Sequence, residues 1–255
     1  MRLKTFGGLA IHRDGAPLAG AAAQRRRLAL LALLDGAGDR GLTREKLLGL
    51  LWPEAEPEKA RRVLAQSLYA LRRELGSEDL FLGTNEVRIN PAVLRSDRTE
   101  FADALAAGRL EEAVAVYEGP YLDGFYLNEA PEFERWVETE RAVLAHDYAG
   151  ALERLAERAS AAGDFRGAVG WWRRLAAADP LNSRVAVGLM RALANAGDRP
   201  AALQHARVFE TLLREELDVP PDPEVVRLAG ELRREDTTRA STADRPRSSA
   251  LAEPR

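Results

Sequence analysis

Pro57-Glu58-Lys59-Ala60-Arg61-Arg62-Val63-Leu64-Ala65-Gln66-Ser67-Leu68-Tyr69-Ala70-Leu71-Arg72-Arg73-Glu74-Leu75-Gly76 decides the fold. Proline is suited to the first turn of a helix and glycine to its end, so the stretch reads as one helix over 57–75. At about 100° per residue, Leu64, Leu68, Leu71 and Leu75 fall within roughly 40° of one another and form an apolar stripe. Roughly opposite lie Arg62, Gln66, Tyr69 and Arg73, with Lys59 slightly further round. That face is cationic, carries an amide and an aromatic ring, and has no carboxylate at its centre. Arg can grip guanine by two hydrogen bonds and Gln can grip adenine likewise. An ordinary solvated face is the bland reading of the same residues.

The neighbours on either side favour recognition. Upstream, Gln24 to Leu34 reads as a helix stopped by Gly36 and Gly38, and Thr43 caps a second helix that ends at Trp52-Pro53. Downstream, Leu80-Phe81-Leu82 and Val87-Arg88-Ile89 flank Gly83-Thr84-Asn85-Glu86 as a hairpin. At the start, Leu3, Thr5 and Phe6, then Leu9 and Ile11, read as two short strands around Gly7-Gly8, with a third near Pro17-Leu18. The order of strands, three helices and hairpin is that of a winged helix-turn-helix with an added N-terminal sheet, over residues 1–95.

From Thr99 onward the chain reads as wholly helical, rich in Ala, Leu, Arg and Glu. Ala162-Gly163-Asp164 recurs as Ala196-Gly197-Asp198, 34 residues later. That is the period of tetratricopeptide helix pairs. Ala168 maps to Ala202 and Leu175 to Phe209, and Ala107-Gly108-Arg109 with Glu112-Ala113 supplies a third, degenerate turn. The fold class is therefore mainly α, a winged helix-turn-helix followed by an all-α helical-repeat domain over 96–235. Residues 236–255 hold six Ser and Thr and no aromatic, and read as a disordered tail or linker. Trp136, Trp171, Trp172, Tyr121 and Phe125 read as core. Trp171 and Trp172 are neighbours, about 100° apart on a helix, so one of them is expected to be partly exposed.

Composition narrows the functions. Residues 1–95 carry 16 Lys and Arg against 11 Asp and Glu, a net of +5, whereas residues 96–255 carry 21 against 29, a net of −8. A basic head on an acidic remainder suits phosphate binding by the head. Cys is absent, which excludes disulfides, thiolate nucleophiles and Cys-ligated metals, and the three His are widely separated. The longest apolar run is the seven residues Leu28–Leu34, short of a membrane span, and the N-terminus has no signal-peptide apolar region. A cytoplasmic protein with no membrane partner is expected. Glu132, Glu134, Glu138 and Glu140 spread over several helix faces, and there is no nucleophile elbow or phosphate loop, so no enzyme and no cofactor is expected.

The remaining cations extend the candidate interface. Arg25 and Arg26 open the first helix, where positive charge opposes the helix dipole; a phosphate nearby would account for them, as would a neutral surface run. Thr43 and Arg44 begin the second helix, whose free backbone N–H groups can hold a phosphate or simply be capped. Arg88 on the hairpin can reach a backbone or a minor groove, with Glu86 opposing it.

These residues resemble the antibiotic regulatory protein (SARP) family of bacterial transcriptional activators. The match runs through Leu3-x-x-Phe6-Gly7, Gln24-Arg25-Arg26-x-Leu28-Ala29-Leu30-Leu31-Ala32, Thr43-Arg44-Glu45-x-Leu47, Leu51-Trp52-Pro53 and Leu71-Arg72-Arg73-x-Leu75-Gly76. It continues with Tyr117-x-Gly119-Pro120-Tyr121-Leu122, Trp136 with Glu140-Arg141, Asp179-Pro180-Leu181, and Glu215-Glu216-Leu217-Asp218 with Pro220, Pro223 and Glu224. The resemblance implies an OmpR-type winged helix and a bacterial transcriptional activator domain. It implies sequence-specific binding to double-stranded DNA at direct repeats, homodimerisation and recruitment of RNA polymerase. Carried over by position, Lys59, Arg62, Gln66, Tyr69 and Arg73 face the major groove, and Arg72 projects sideways toward a phosphate. The sequence departs from the family at Gly83-Thr84-Asn85-Glu86-Val87, in the wing. The competing reading is a protein-binding helical-repeat adaptor whose winged helix serves dimerisation.

Overall fold

The computed structural model describes residues 1–18 and 24–243. Its N-terminal strands are β1 (Arg2–Lys4), β2 (Ala10–Arg13) and β3 (Ala16–Pro17). The helix-turn-helix follows as α1 (Arg25–Ala37), a 3-10 turn (Gly38–Arg40), β4 (Leu42–Thr43), α2 (Arg44–Leu51) and α3 (Pro57–Leu75). The hairpin is β5 (Phe81–Leu82) and β6 (Glu86–Ile89), in antiparallel register with Phe81 opposite Ile89 and Leu82 opposite Arg88. After β7 (Arg95–Ser96) come α4 (Asp97–Ala106), α5 (Leu110–Val116), α6 (Pro131–Ala161), α7 (Phe165–Ala178), α8 (Ser183–Asn195), α9 (Arg199–Leu217) and α10 (Pro223–Ala243).

The three helices and the hairpin stand where periodicity and turn residues put them. Two strands go unread in the sequence, because each is two residues long and exists only through its partner. β4 pairs with β6 to complete a sheet of order β4-β6-β5, and β7 pairs parallel to β1 in a sheet of order β3-β2-β1-β7. Residues 117–130, read as helical, form a loop instead. Gly119, Pro120 and Gly124 break the pattern, and Leu122 and Glu129 take positive φ. α10 runs to Ala243, past residue 235 where the tail is expected to begin; residues 244–255 lie outside the described residues.

The chain forms two compact units, Met1–Ala151 and Leu152–Arg255. The change of charge and texture at residue 95 is a different boundary. In the first unit the loop after α5 is built into the winged helix. Gly7 N–H donates to the Pro120 carbonyl at 3.0 Å, and Leu122 N–H to the Thr5 carbonyl at 2.8 Å. Tyr121 is fully buried, its ring 6.4 Å from that of Phe6 and 6.1 Å from that of Trp136. Arg141 of α6 donates from Nε to the Tyr121 carbonyl at 3.0 Å. The family-like segment 117–122 is therefore the clip between the N-terminal sheet and the first helices after it.

A buried carboxylate closes the same junction. Asp97, at the first turn of α4, accepts from the amides of Thr5 at 2.8 Å and Phe6 at 3.1 Å, from the Thr5 hydroxyl, and from Arg98 N–H at 2.9 Å. It ties the end of β1 to α4. Behind it, Asp35 on α1 accepts from the Thr99 hydroxyl at 3.4 Å, and Arg98 pairs with Glu140 of α6 at 2.9 Å. Burial pushes the Asp35 carboxyl up to about 6; the Ser96 hydroxyl and Arg98 pull it down, Asp97 pushes it up, and Thr99 pulls it down.

In the second unit the 34-residue echo is structural. Gly163 and Gly197 both take positive φ, and Asp164 and Asp198 accept from Gly167 N–H at 2.9 Å and Ala201 N–H at 3.1 Å, capping α7 and α9. Ala168 and Ala202, each five residues after the glycine, are fully buried, and Leu175 and Phe209 are buried. The third turn obeys the same rule within the first unit: Gly108 has positive φ and Ala113 is fully buried. Trp172 is buried and Trp171 half-exposed, as their adjacency requires.

Candidate nucleic-acid interface

α3 is well delimited. Glu56 caps it, accepting from Glu58 N–H at 3.2 Å and Lys59 N–H at 3.0 Å, with Pro57 in the first turn. Gly76 closes it at φ +68°, the left-handed conformation that glycine adopts without a Cβ clash. Ala60, Leu64, Leu68, Leu71 and Leu75 are buried, so the stripe faces the core. Ser67, also buried, donates its hydroxyl to the Val63 carbonyl at 2.8 Å, leaving no orphan there.

The opposite face is bare. Lys59, Arg62, Gln66, Tyr69 and Arg73 are exposed, Tyr69 at 61%. None of their side chains makes a hydrogen bond or ion pair with a described residue. The carboxylates of α3 are committed to its flanks: Glu58 pairs with Arg61 at 3.0 Å and Glu74 with Arg27 at 3.4 Å. Three cations, an amide and a phenol are left for a partner. Arg72 is not among them; its guanidinium lies over the Phe81 ring at 5.6 Å and it is half-buried.

The other candidates divide. Thr43 Oγ1 accepts from Lys46 N–H at 3.2 Å, so it caps α2, and Arg44 stands exposed beside it without a partner among the described residues. Glu86 lies opposite Thr43 in the β4–β6 register, which sets a carboxylate next to the α2 N-terminus. Arg88 is exposed but donates to the Asp39 carbonyl at 3.2 Å. Arg25 donates from Nε to the Tyr126 carbonyl at 2.9 Å and covers the Phe125 ring at 4.8 Å. Arg26 donates to the Asn128 carbonyl at 3.3 Å and reaches Glu129 at 3.5 Å. The loop of residues 125–129 therefore supplies partners for the cations at the start of α1, and no phosphate is needed to account for them. Nothing local in the sequence signalled that pairing across about a hundred residues. Arg25→Ala is expected to lower stability by about 1–2 kcal/mol, the worth of one hydrogen bond and a cation–π contact, read by urea denaturation.

Among the described residues there is no group of three His, Asp or Glu able to hold a metal, and no helix long and apolar enough to cross a membrane. The arrangement offers recognition chemistry: guanidinium groups and an amide that can match base edges, with ammonium and guanidinium groups for phosphates.

Residues 92–233 match the family model described as "Bacterial transcriptional activator domain". Regulatory protein AfsR of Streptomyces griseus is 29% identical over 269 residues, covering 96% of this chain and 26% of that protein. The chain thus spans about a quarter of the length of that relative. Among solved structures, Mycobacterium tuberculosis EmbR in complex with a low affinity phosphopeptide superposes with a TM-score of 0.66 at 23% identity, over 95% of this chain and 69% of that one. That likeness is one of fold.

Proposed function

We propose a function from one premise: the chain belongs to the bacterial transcriptional activator domain family, the SARP-type transcriptional activators. It binds double-stranded DNA sequence-specifically, with α3 in the major groove, and activates transcription at promoters that carry direct repeats. The observation that carries this reading is the outward face of α3, without partners among the described residues, where Lys59, Arg62, Gln66, Tyr69 and Arg73 stand exposed with the helix's own carboxylates turned to the flanks. Arg62, Gln66 and Arg73 read bases, Lys59 and Arg44 hold phosphates, and Tyr69 packs on sugar or thymine methyl edges. Homodimerisation, contact with RNA polymerase and a cytoplasmic setting belong to the same proposal.

The test is selection of the full chain on a random duplex library at two salt concentrations, followed by sequencing. A repeated motif is expected, bound with an affinity that falls steeply with salt as counterions are released. No enrichment of any sequence together with no salt-sensitive binding would sink the proposal and favour the adaptor reading. On the selected site, Arg62→Ala or Gln66→Ala is expected to cost about 1–3 kcal/mol and to relax one base position. Equal losses on cognate and random duplex would remove Gln66 from base reading.

A further inference from the structure

One cavity in the Met1–Ala151 unit is walled by both the helix-turn-helix and α6. Its volume is about 300 Å3, the small end of the roughly 300–1,000 Å3 range of ligand pockets, so it suits a single ring. The apolar wall is Leu33 of α1, Leu42 of β4, Leu50 of α2 and Trp136 of α6. Leu33 is buried and the other three are half-buried. Such half-exposed apolar side chains around one concavity leave surface that a flat apolar ligand can cover.

The polar groups around this wall are not balanced. Arg40 from the 3-10 turn and Lys46 from α2 also line the cavity. Both are exposed, and neither side chain makes a hydrogen bond or ion pair with a described residue. The one carboxylate in the lining, Glu140, is already neutralised by Arg98 at 2.9 Å. The site therefore presents an uncompensated pair of cations beside apolar walls. The indole is held in place: a Cβ on Gly36 would lie 2.6 Å from Cζ2 of Trp136, so the ring rests directly on the backbone of α1. Its N–H makes no hydrogen bond with any described residue, although tryptophan N–H groups in such half-buried positions ordinarily find an acceptor.

We propose that this cavity binds a small planar aromatic carboxylate. Its ring lies against Trp136 and the leucines, and its carboxylate lies between Arg40 and Lys46, where charge-assisted hydrogen bonds are the strong ones. Because α1, α2 and α6 all line the cavity, the ligand braces the long helix against the helix that precedes α3. It thereby gives a small molecule a hold on the DNA-reading head. The site stands independently of the DNA reading and is tested without DNA.

The probe is salicylate, followed by ligand-observed NMR on the full chain, with phenol as the uncharged analogue. Saturable binding of salicylate is expected, at least tenfold tighter than that of phenol. It should weaken at least tenfold in the double variant R40Q/K46Q, whose two side chains are exposed and whose fold is checked by circular dichroism. Equal salicylate binding by wild type and R40Q/K46Q, or no saturable binding at all, would overturn the proposal.

Discussion

Asp97→Ala is expected to lower the stability of the Met1–Ala151 unit by about 3–5 kcal/mol, the scale reached when a buried charged hydrogen-bond network is broken. Asp97 is 3% exposed and accepts from two amides of β1 and its continuation, the Thr5 hydroxyl and the Arg98 amide. Hydrogen bonds to a charged acceptor are worth about 1.5–3 kcal/mol each, and they are not additive here because they share two oxygens. Thr5 and Phe6 are themselves fully buried, so truncation leaves their N–H groups without water or partner. Asp97→Asn keeps one carbonyl acceptor and is expected to lose roughly half as much. Thermal melting monitored by near-ultraviolet circular dichroism checks both. At about 2–4 °C per kcal/mol for a chain of this size, the alanine variant should melt about 6–20 °C lower. A fall of less than about 2 °C, under the effect of a single kcal/mol, would show that the clip between β1 and α4 is not what holds the winged helix to the helices after it.

Asp35→Asn is expected to act in the opposite sense, and only above mildly acidic pH. The carboxyl of Asp35 is raised from 3.8 to about 6, chiefly by burial. A raised carboxyl favours the protonated form in the folded state, so its full contribution is present below pH 3.8 and is lost as pH climbs through about 6. A tenfold change in proton affinity is worth about 1.4 kcal/mol, so wild type carries a penalty of about 3 kcal/mol at pH 8 that it does not carry at pH 4. Asparagine has no charge to bury and escapes it. The variant should match wild type near pH 4 and exceed it by about 2–3 kcal/mol at pH 8, in urea titrations at both pH values. The groups that face Asp35 are Arg98, Asp97, Tyr121, Ser96 and Thr99. Arg98 keeps Glu140 as a partner in the variant, so no cation is stranded. Parallel pH profiles for variant and wild type would refute the buried-charge account.

Both predictions fall on residues that the sequence did not single out. Asp35 and Asp97 look like two of forty acidic residues until the fold places them. Asp97 meets Thr5 across 92 positions and Asp35 meets Thr99 across 64. Arg25 and Arg26 stood out for the right reason, a positive charge where a helix dipole disfavours it. Their partners came from a loop about a hundred residues away, and periodicity carries no information about such a meeting.

The local signals were otherwise sufficient. Leucines at positions 64, 68, 71 and 75 fixed which side of α3 is buried, because a 3.6-residue period leaves no other common face. That alone determined which side its cations and Gln66 present to solvent. Glycines followed by a capping aspartate fixed the repeat turns, since left-handed backbone and orphan N–H groups each demand a particular residue type. Tertiary structure alone decided that β4 and β7 exist, that residues 117–122 clip the N-terminal sheet to the helices after it, and that two acids lie in the core. The physical reason is that sequence periodicity encodes how much of each element is hidden from water, whereas the identity of what hides it depends on distant chain segments that meet only in the folded molecule.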